Sequence, residues 1–385
     1  MGITIISGYM FPPARVLPYT ILREIAWCSL EPVLIEENKP LAPFTTLGIG
    51  GHARWFVTAA REEDVAEAAA WAGERRLPLF VLGGGSNVLI SDAGFNGLVL
   101  RVQLRGIQSV QGGASCLYRV AAGEAWDDFV HRAVEDDCAG IECLAGIPGT
   151  VGGTPVQNVG AYGQEVSSSI ERVRAFDLHS REFTEFAAAD CGFGYRRSRF
   201  NASDRGRYIV TRVNYRLSPH GAPMLRYVDL QRAFPAGSSP SLGEAASTVR
   251  RIRRSKGMLL VDGDPDCRSA GSFFKNPLVT PEEVQHIAAI AGKDPPYFPA
   301  AQGSAEKGQI KVPAAWLIEQ TGFSKGYALG AAAISSRHTL ALVNRGGATA
   351  AEILHLADQI RSAVASRFDL RLDMEPEMIG FETSA

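Results

Sequence analysis

The stretch VLGGGSNVLI, residues 81–90, places three consecutive glycines between two apolar runs. Glycine runs of this kind allow a backbone to approach a phosphate closely. The run fits neither of the two common phosphate loops, because no Lys-Ser/Thr pair follows it and no G-x-G-x-x-G opens a helix. Asn87 and the apolar residues after it favour a strand or a turn. The stretch therefore raises the question of which phosphate-bearing ligand such a loop would hold.

The length and composition describe an ordinary globular chain. Its 385 residues suffice for two or three domains, and 46% hydrophobic with 21% charged residues predict buried cores. The formal net charge of -2 gives no global nucleic-acid signature. No run of about 18 apolar residues occurs, so we expect no membrane-spanning helix. Residues 1–35 resemble a signal peptide slightly, but they lack a basic start and their apolar run breaks at Gly8 and at Pro12 and Pro13. We therefore expect a poorly ordered extension or an early start codon.

The cysteines and histidines give no metal-binding pattern. The six cysteines, at positions 28, 116, 138, 143, 191 and 267, contain no C-x-x-C pair, and the seven histidines contain no H-x-x-x-H pair. We therefore expect no metal site. The same cysteine spacing favours a reducing compartment in which the thiols are free or buried.

Strand-like and helix-like segments alternate from about residue 50 without a regular βαβ repeat, which predicts an α+β fold. The Pro/Gly-rich stretch 218–226 indicates a domain boundary. Beyond it, periodicity predicts helices over 243–256, 281–291, 313–321 and 349–367, followed by a strand-like tail. The last helix carries an apolar stripe of Ile353, Leu354, Leu356, Ile360, Val364 and Phe368.

A second glycine-rich stretch, AGIPGTVGGTPVQNVGAYGQE (145–165), holds six glycines. Each glycine inside a regular element costs about 0.5–1 kcal/mol, so no ordinary core element tolerates this density. Two such stretches in one domain indicate two backbone walls that close on one extended, phosphate-bearing ligand. Tight turns between strands are the alternative interpretation.

Six motifs in this order closely resemble the UDP-N-acetylenolpyruvoylglucosamine reductase family: GGGSN, GIPGTVGGTPVQNVGAYG, CGFGYRRSRF, GSFFKNP, AAWLIEQTGF and EPEMIGF. The resemblance covers roughly residues 36–382. It implies an FAD-binding domain of the vanillyl-alcohol-oxidase (PCMH) type over 36–220 and a smaller α+β substrate-binding domain over 225–385. It also implies a cytoplasmic monomer that binds FAD non-covalently, uses NADPH, and has no nucleic-acid or membrane partner.

The resemblance assigns the FAD to both glycine stretches. The residues implied are Gly83, Gly84, Gly85, Ser86, Asn87, Ile147, Pro148, Gly149, Gly152, Gly153, Gly160, Ala161 and Gly163. Two positions depart from the common family pattern. Thr154 stands where alanine is commoner, and Thr45 stands where asparagine is frequent, which puts a flavin contact at Thr45 in doubt.

The family reaction passes hydride from NADPH to FAD and then to C3 of the enolpyruvyl group of UDP-N-acetylglucosamine enolpyruvate, giving UDP-N-acetylmuramate for peptidoglycan. Such a reaction needs a cation at the carboxylate, a proton donor at C2 and a polarising group. The resemblance assigns these roles to Arg196, Ser272 and Glu377. If 272–276 is a strand, Ser272 and Asn276 share a face, with Lys275 on the other. Alternation likewise places both Glu375 and Glu377 on one face.

The resemblance also implies substrate contacts at Tyr162, Tyr195, Tyr227, Lys256, Asn276 and Gln320. Tyr227 matches the branch of the family, type I, that has a substrate-covering loop. Lys256 ends a predicted helix whose Arg250, Arg251, Arg253 and Arg254 form a basic cluster suited to a diphosphate. Trp316, one helical turn before Gln320, is expected in the core.

Two other functions stay open on the sequence alone. A flavin oxidase of the same superfamily would act on a sugar or an alcohol and turn over with O2. A flavoprotein that binds a nucleotide sugar without catalysis would serve as a regulatory or assembly module, although intact Arg196, Ser272 and Glu377 argue against it.

Overall fold

The structure is a computed structural model that describes residues 33–113, 115–299 and 308–381. The extension expected over 1–35 therefore lies, up to residue 32, outside the described residues. The helices are α1 (Glu62–Glu74), α2 (Trp126–Glu135), α3 (Val228–Ala233), α4 (Leu242–Ser255), α5 (Pro281–Ala291), α6 (Ala314–Gln320) and α7 (Ala350–Phe368). The strands are β1 (Ile35–Pro40), β2 (His52–Ala59), β3 (Leu79–Leu82), β4 (Val88–Ile90), β5 (Phe95–Val102), β6 (Ile107–Gly112), β7 (Ser115–Ala121), β8 (Cys138–Ala139), β9 (Gly160–Ala161), β10 (Gln164–Glu165), β11 (Ile170–Asp177), β12 (Glu182–Ala187), β13 (Tyr208–Pro219), β14 (Leu278–Val279), β15 (Phe298–Pro299), β16 (Ile310–Lys311), β17 (Ala328–Leu329), β18 (Ala332–Ile334), β19 (Leu342–Asn344) and β20 (Glu377–Ile379).

The first sheet has the strand order β1-β2-β5-β3. Strand β1 runs antiparallel to β2, whereas β2, β5 and β3 run parallel. Helix α1 connects β2 to β3 and buries Val65 and Ala68 with Val57 of β2 in one core. The first glycine stretch leaves the sheet directly after β3, so its loop lies at the carboxyl end of a parallel strand, where open α/β sheets place their ligands.

The second sheet is antiparallel, with the order β12-β11-β13-β7-β6, and β8 pairs with the end of β13. Helix α2 packs on it through Trp126 and Phe129, whose rings lie 5.9 and 4.9 Å from that of Tyr215 in β13. Residues from both sheets belong to one hydrophobic core. The second glycine stretch follows α2 and β8, and it therefore faces the first across the gap between the two sheets.

The C-terminal half contains α4 to α7 around small sheets. Helices α4, α5 and α7 each begin with a capping box, Ser241 with Glu244, Thr280 with Glu283 and Thr349 with Glu352. The predicted helices agree with the observed ones to within one residue at each end. Five residues of the predicted stripe on α7 are buried, and Leu354 is partly buried.

The chain finally returns to the first half, where β20 pairs in parallel with β4. Ile379 of β20 packs in a core with Leu41 and Phe56. The predicted strand-like tail is thus only three residues long, since Pro376 just before it has no N–H to donate. In the other direction, Leu47 and Leu89 of the first half pack in the core of the second.

The cysteines differ from the expectation of free thiols. Cys116 and Cys138 are bonded as a disulfide between β7 and β8, which flank β13. Cys143, Cys191 and Cys267 are free and buried, and Cys28 lies outside the described residues. Within the described ranges, no helix is long and apolar enough to cross a membrane. Over the same ranges, no group of three His, Cys, Asp or Glu side chains could hold a metal ion.

Candidate active site

A cavity of about 500 Å³ lies between the two glycine-rich stretches. Ten of the thirteen residues predicted to bind the cofactor line it: Gly83, Gly84, Gly85, Ser86, Asn87, Ile147, Pro148, Gly149, Gly152 and Gly153. The other three, Gly160, Ala161 and Gly163, lie outside this lining. Charged side chains also line the cavity: Arg196, Arg205, Lys275, Glu375 and Glu377. The cavity therefore combines bare backbone with charged side chains.

The first loop supplies hydrogen-bond donors. The backbone N–H groups of Gly84, Gly85, Ser86 and Asn87 donate to no acceptor in the part of the chain that the structure describes. Four successive donors without a protein partner are free to bond an acceptor from outside the chain. A diphosphate, with several acceptor oxygens, meets that requirement.

Two N–H groups of the second stretch are already paired. Gly152 and Gly153 donate their N–H groups to the carbonyls of Ala122 and Thr150, at 2.8 and 3.0 Å. Most of the glycines are explained by close packing, since a Cβ at Gly84 would lie 2.6 Å from Cα of Gly149. A Cβ at Gly153 would meet nothing within 4 Å. At Gly153 the second wall therefore offers open space next to the donors of the first loop.

Asn87 ties three segments of the cavity together. Its Nδ2 donates to Oε1 of Gln157 at 2.8 Å and to the carbonyl of Glu375 at 3.3 Å. Its own carbonyl accepts from the N–H of Glu377 at 2.9 Å. The side chain predicted to contact the cofactor thus joins both glycine stretches to the C-terminal strand.

Arg196 is held at several points on the cavity wall. Its Nη2 donates to the carbonyl of Gly160 at 2.7 Å, and its Nε lies 3.0 Å from Oε1 of Glu375. The φ of Arg196 is +53°, in the left-handed region, and Asn201 bonds its carbonyl. Non-glycine residues in this region concentrate at functional sites. The guanidinium is therefore fixed in place, with a carboxylate on one side.

The two C-terminal carboxylates share the cavity but differ in surroundings. The side chain of Glu375 is 12% exposed and pairs with Arg196. Burial raises the pKa of the Glu375 carboxyl, and the nearby Arg196 and Lys275 offset part of that rise. The side chain of Glu377 is 44% exposed and pairs with Arg205 at 3.0 Å. The carboxylate at the arginine is thus that of Glu375, and the one predicted as catalytic lies nearer to solvent.

Ser272 lies beside the C-terminal segment. The backbone carbonyl of the neighbouring Phe273 accepts from the N–H of Glu375 at 2.9 Å. The N–H of Lys275 donates to the carbonyl of Asp373, also at 2.9 Å. The regular alternation expected for 272–276 is wrong, because only an isolated bridge forms at Phe274 and both phenylalanines are buried. Lys275 therefore lines the cavity. Ser272 is half-buried and outside the cavity lining, and its hydroxyl has no partner among the described residues.

Comparisons with known proteins agree on one family. The model of "UDP-N-acetylenolpyruvoylglucosamine reductase, C-terminal domain" matches residues 264–379, and that of an "FAD binding domain" matches 53–179. The UDP-N-acetylenolpyruvoylglucosamine reductase of Streptomyces coelicolor is 45% identical over 91% of this chain and 92% of its own length. That of Thermobifida fusca is 43% identical over 89% and 97%. The crystal structure of the Thermus caldophilus reductase is 27% identical, covers 90% of this chain and 98% of its own, and superimposes with a TM-score of 0.61.

The chain belongs to the UDP-N-acetylenolpyruvoylglucosamine reductase family. It is an FAD-dependent oxidoreductase, and the α+β fold with an FAD-binding domain is confirmed. The residues present fit FAD. The unpaired N–H groups of the first loop suit its diphosphate, and Gly153 leaves room beside them. Thr45, at the departure from the family pattern, uses its hydroxyl to bond the carbonyls of Ala42 and Ile49.

Three of the residues predicted to contact substrate in this reductase form one cluster. The rings of Tyr162 and Tyr227 meet edge to face at 5.3 Å, and Nζ of Lys256 lies 5.7 Å from the Tyr162 ring. Lys256 also pairs with Asp229 at 2.7 Å. Burial acts to lower the pKa of Lys256, but the bond to Asp229 and the nearby tyrosines outweigh it, so the pKa is raised. The φ of Tyr162 is +49°, so it is the second non-glycine residue with a left-handed backbone among the predicted site residues.

The basic cluster predicted on α4 is not one binding face. Arg250 pairs with Asp127 at 2.7 Å, and Arg251 bonds the hydroxyl of Thr248. Arg253 is buried and bonds the carbonyls of Gly146 and Met258. Lys256 adjoins the tyrosine cluster, and the buried Arg253 also interacts with Tyr162.

The remaining predicted substrate residues fall into two places. Tyr195 lies beside Arg196, whose Cζ is 5.4 Å from its ring, and Lys311 places Nζ 3.8 Å from the same ring. Burial raises the pKa of Tyr195, and hydrogen bonds to Asn276 oppose the rise. Asn276 also accepts from the N–H of Ala314, the first residue of α6.

Gln320 stands apart from these groups. Its Nε2 donates to the carbonyl of Trp316 within its own helix at 3.3 Å, and its carbonyl accepts from Nη1 of Arg367. Trp316 is partly buried against the second core, near the ring of Phe368. The structure thus brings Tyr195 and Asn276 to the arginine, but it does not bring Gln320 into the cavity lining.

Three charged residues of the cavity are not among the predicted site residues: Arg205, Glu375 and Lys275. The motif register favours Glu377 over Glu375, and Lys275 would face the other way only if 272–276 formed a strand. A signal for Glu375 existed, since it lies two residues before Glu377 in EPE. No local signal marks Lys275, because its position depends on the break in alternation at Phe273 and Phe274.

Proposed function

We propose that this chain catalyses the NADPH-dependent reduction of UDP-N-acetylglucosamine enolpyruvate to UDP-N-acetylmuramate, a step in peptidoglycan precursor synthesis. The observation that carries the proposal is the guanidinium of Arg196, fixed on the wall of the cavity that both glycine stretches line. A cavity that offers backbone donors for a diphosphate and a fixed cation for a carboxylate suits a cofactor and an acidic substrate together. Family membership supports both assignments.

Arg196 would bind the substrate carboxylate, because its planar fork accepts a carboxylate bidentately and stays charged. Bound along Gly83–Asn87 and Gly153, FAD supplies the chemistry of hydride transfer from NADPH to C3. Arg196 then stabilises the negative charge that develops on the carboxylate side. The hydroxyl of Ser272 would donate the proton to C2, and Glu377 would polarise the substrate from the solvent side of the cavity.

The cluster of Tyr162, Tyr227 and Lys256 would hold the nucleotide part of the substrate. The partly buried ammonium of Lys256 suits a diphosphate, and the tyrosine rings provide flat surfaces next to it. Tyr195 and Asn276 would border the carboxylate. We also propose domains over 36–220 and 225–385, and a monomer that acts in the cytoplasm without a nucleic-acid or membrane partner. Charged nucleotides such as UDP-sugars and NADPH are found there because they do not cross membranes unaided.

An anaerobic titration tests this function. We expect a yellow preparation that NADPH bleaches and that UDP-N-acetylglucosamine enolpyruvate restores, with one equivalent of UDP-N-acetylmuramate formed. UDP-N-acetylglucosamine, which lacks the enolpyruvyl group, is the matched control and should restore no colour. Failure of the enolpyruvyl compound, with rapid recovery on admitting O2, would favour an oxidase and contradict the proposal.

A further inference from the structure

The ion pair between Arg196 and Glu375 raises a question of charge. The proposed function gives Arg196 the substrate carboxylate, yet the guanidinium already has a carboxylate 3.0 Å from its Nε. The side chains of Arg196 and Glu375 are 20% and 12% exposed, so water screens this pair only partly. A second carboxylate at the same guanidinium therefore meets the charge of the first.

The geometry leaves room for that second carboxylate. Nε of Arg196 is used by Glu375 and Nη2 by the carbonyl of Gly160. Nη1 has no partner among the described residues. Glu375 is itself fixed by its backbone, which donates to Phe273 at 2.9 Å and accepts from Asn87 at 3.3 Å. One edge of the guanidinium is thus anchored, and the other is available to a ligand.

The groups around Glu375 determine its charge. Two of its cationic neighbours come from different segments, Arg196 and Lys275, and both favour the ionised carboxylate. Burial acts in the opposite direction and prevails, so the pKa of Glu375 is raised. The other charged or titratable groups nearby are Tyr195, Glu377 and Arg205. An added negative charge at Arg196 raises this pKa further.

We infer that Glu375 is a positioning residue, which orients Arg196, shares its guanidinium with the substrate carboxylate, and takes up a proton when that carboxylate binds. This inference rests on the proposed function, because it requires an acidic ligand at Arg196. The proton comes from solvent and neutralises Glu375. The carboxylate of the ligand then forms the only full ion pair at the guanidinium.

Calorimetry on the FAD-loaded protein tests the inference with two ligands. UDP-N-acetylmuramate carries a carboxylate, and UDP-N-acetylglucosamine does not. Binding measured in two buffers of different ionisation enthalpy gives the number of protons exchanged. We expect proton uptake with UDP-N-acetylmuramate and none with UDP-N-acetylglucosamine. The affinity for UDP-N-acetylmuramate should consequently fall as the pH rises, while the affinity for UDP-N-acetylglucosamine should not change.

The variant Glu375→Gln removes the charge and keeps the shape. It should abolish the proton uptake and bind UDP-N-acetylmuramate about tenfold more tightly, since a negative charge near the ligand is gone. Its affinity for UDP-N-acetylglucosamine should not change. Glu185→Gln, which breaks an exposed pair with Arg212, is the matched control and should behave as the unmodified protein.

Two results would overturn the inference: proton uptake that persists in Glu375→Gln, or an equal change in affinity for both ligands, which indicates a merely structural role. If Glu375→Gln does not fold with FAD, the pH dependence of ligand binding to the unmodified protein provides the test. Equal pH dependence for the two ligands then rejects the inference. Turnover of UDP-N-acetylglucosamine enolpyruvate with NADPH tests the proposed function separately. A protein that binds UDP-N-acetylmuramate with proton uptake but does not turn over refutes that function and leaves the inference intact.

Discussion

Glu377 donates its backbone N–H to the carbonyl of Asn87 at 2.9 Å. The bond begins the parallel pairing of β20 with β4, and it joins the loop with unpaired donors to the segment that carries both carboxylates. The cofactor-binding wall and the acidic wall of the cavity are therefore parts of one hydrogen-bonded unit. We therefore expect a substitution in either wall to alter the structure of the other.

Asn87 tests this connection. In Asn87→Ala, the bonds to Gln157 and to the carbonyl of Glu375 are lost. We expect the free energy of unfolding to fall by about 1–2 kcal/mol, as for lost hydrogen bonds in partly buried sites, and FAD to bind more weakly. Thermal melts and an FAD titration measure both. Asn96→Ala, at an exposed bond to Arg54, is the control. An unchanged FAD affinity in Asn87→Ala would show that the two walls are independent.

Two glycines that look alike in sequence should respond differently to substitution. Gly153→Val projects into open space beside the first loop, so the protein should fold and fail to bind FAD. Gly84→Val places a Cβ against the backbone of Gly149, so it should lose FAD and thermal stability together. Gly243→Ala in α4 has only ordinary contacts and should change neither. Flavin absorbance after gel filtration and a thermal melt give the readouts. Normal FAD content in Gly153→Val would place the cofactor elsewhere.

FAD should be released by acid. Covalent attachment in this superfamily uses His or Cys near the flavin. No His or Cys lines the cavity within the described part of the chain. Two such residues lie near the glycine stretches in sequence. His52 is exposed on β2. Cys143 is buried, and its Sγ bonds the carbonyl of Met224. After precipitation with trichloroacetic acid, the yellow colour should stay in the supernatant. Colour that remains with the pellet contradicts this.

The half-reactions should separate the proposed catalytic roles. Ser272→Ala removes a proton donor that only the substrate step needs, so its rate should fall by about 10²–10⁴ while reduction by NADPH keeps its rate. Glu377→Gln should behave similarly and hardly change the melting temperature, because exposed pairs contribute little to stability. Arg196→Ala should also weaken substrate binding, since it pairs with the ground-state carboxylate. Stopped-flow absorbance measures each step. Equal slowing of both steps in Ser272→Ala would assign Ser272 a structural role.

His338 should make the stability sensitive to mild acid. It is partly buried near Lys256 and Lys325, and this burial lowers its pKa to about 4. Its Nδ1 accepts the N–H of Leu340 at 3.1 Å. In the unfolded chain, His338 takes up a proton when the pH falls below its ordinary pKa of about 6.5. In the folded protein it takes up this proton only near pH 4. Stability is therefore lost as the pH falls between these values, by about 3 kcal/mol at pH 4. His338→Gln retains an acceptor and should melt with a weaker pH dependence from pH 7 to 5. An unchanged dependence would show that His338 is not responsible.

The sequence predicted what depends on neighbours along the chain. Periodicity gave the helix bounds of the second half, and the glycine runs marked the two loops that border the cavity. The family motifs supplied the rest of the fold class. These signals are local, or they recur in order along the chain, so one sequence is enough to read them.

The sequence failed where a contact joins distant segments. Glu375 pairs with a residue far earlier in the chain, and nothing in EPE tells which glutamate reaches the arginine. Lys275 does not point away from the cavity, as it would in a regular strand. Phe273 and Phe274 are both buried in the core, so the side chains do not alternate there. The disulfide between Cys116 and Cys138 was not predicted, because it too joins segments that are separated along the chain. Their spacing says nothing about β7 and β8 both pairing with β13.

The pairing of β20 with β4 also bears on how the protein is synthesised. Asn87 and Glu375 are separated by 288 positions, so the glycine loop leaves the ribosome long before the strand that completes its cavity. Contacts at such separation form late, because the intervening chain must first be ordered. A nascent chain therefore carries a cofactor loop without its acidic wall. Redox activity then begins only with a fully translated polypeptide, and a chain cut short before Glu377 is inert rather than partly active.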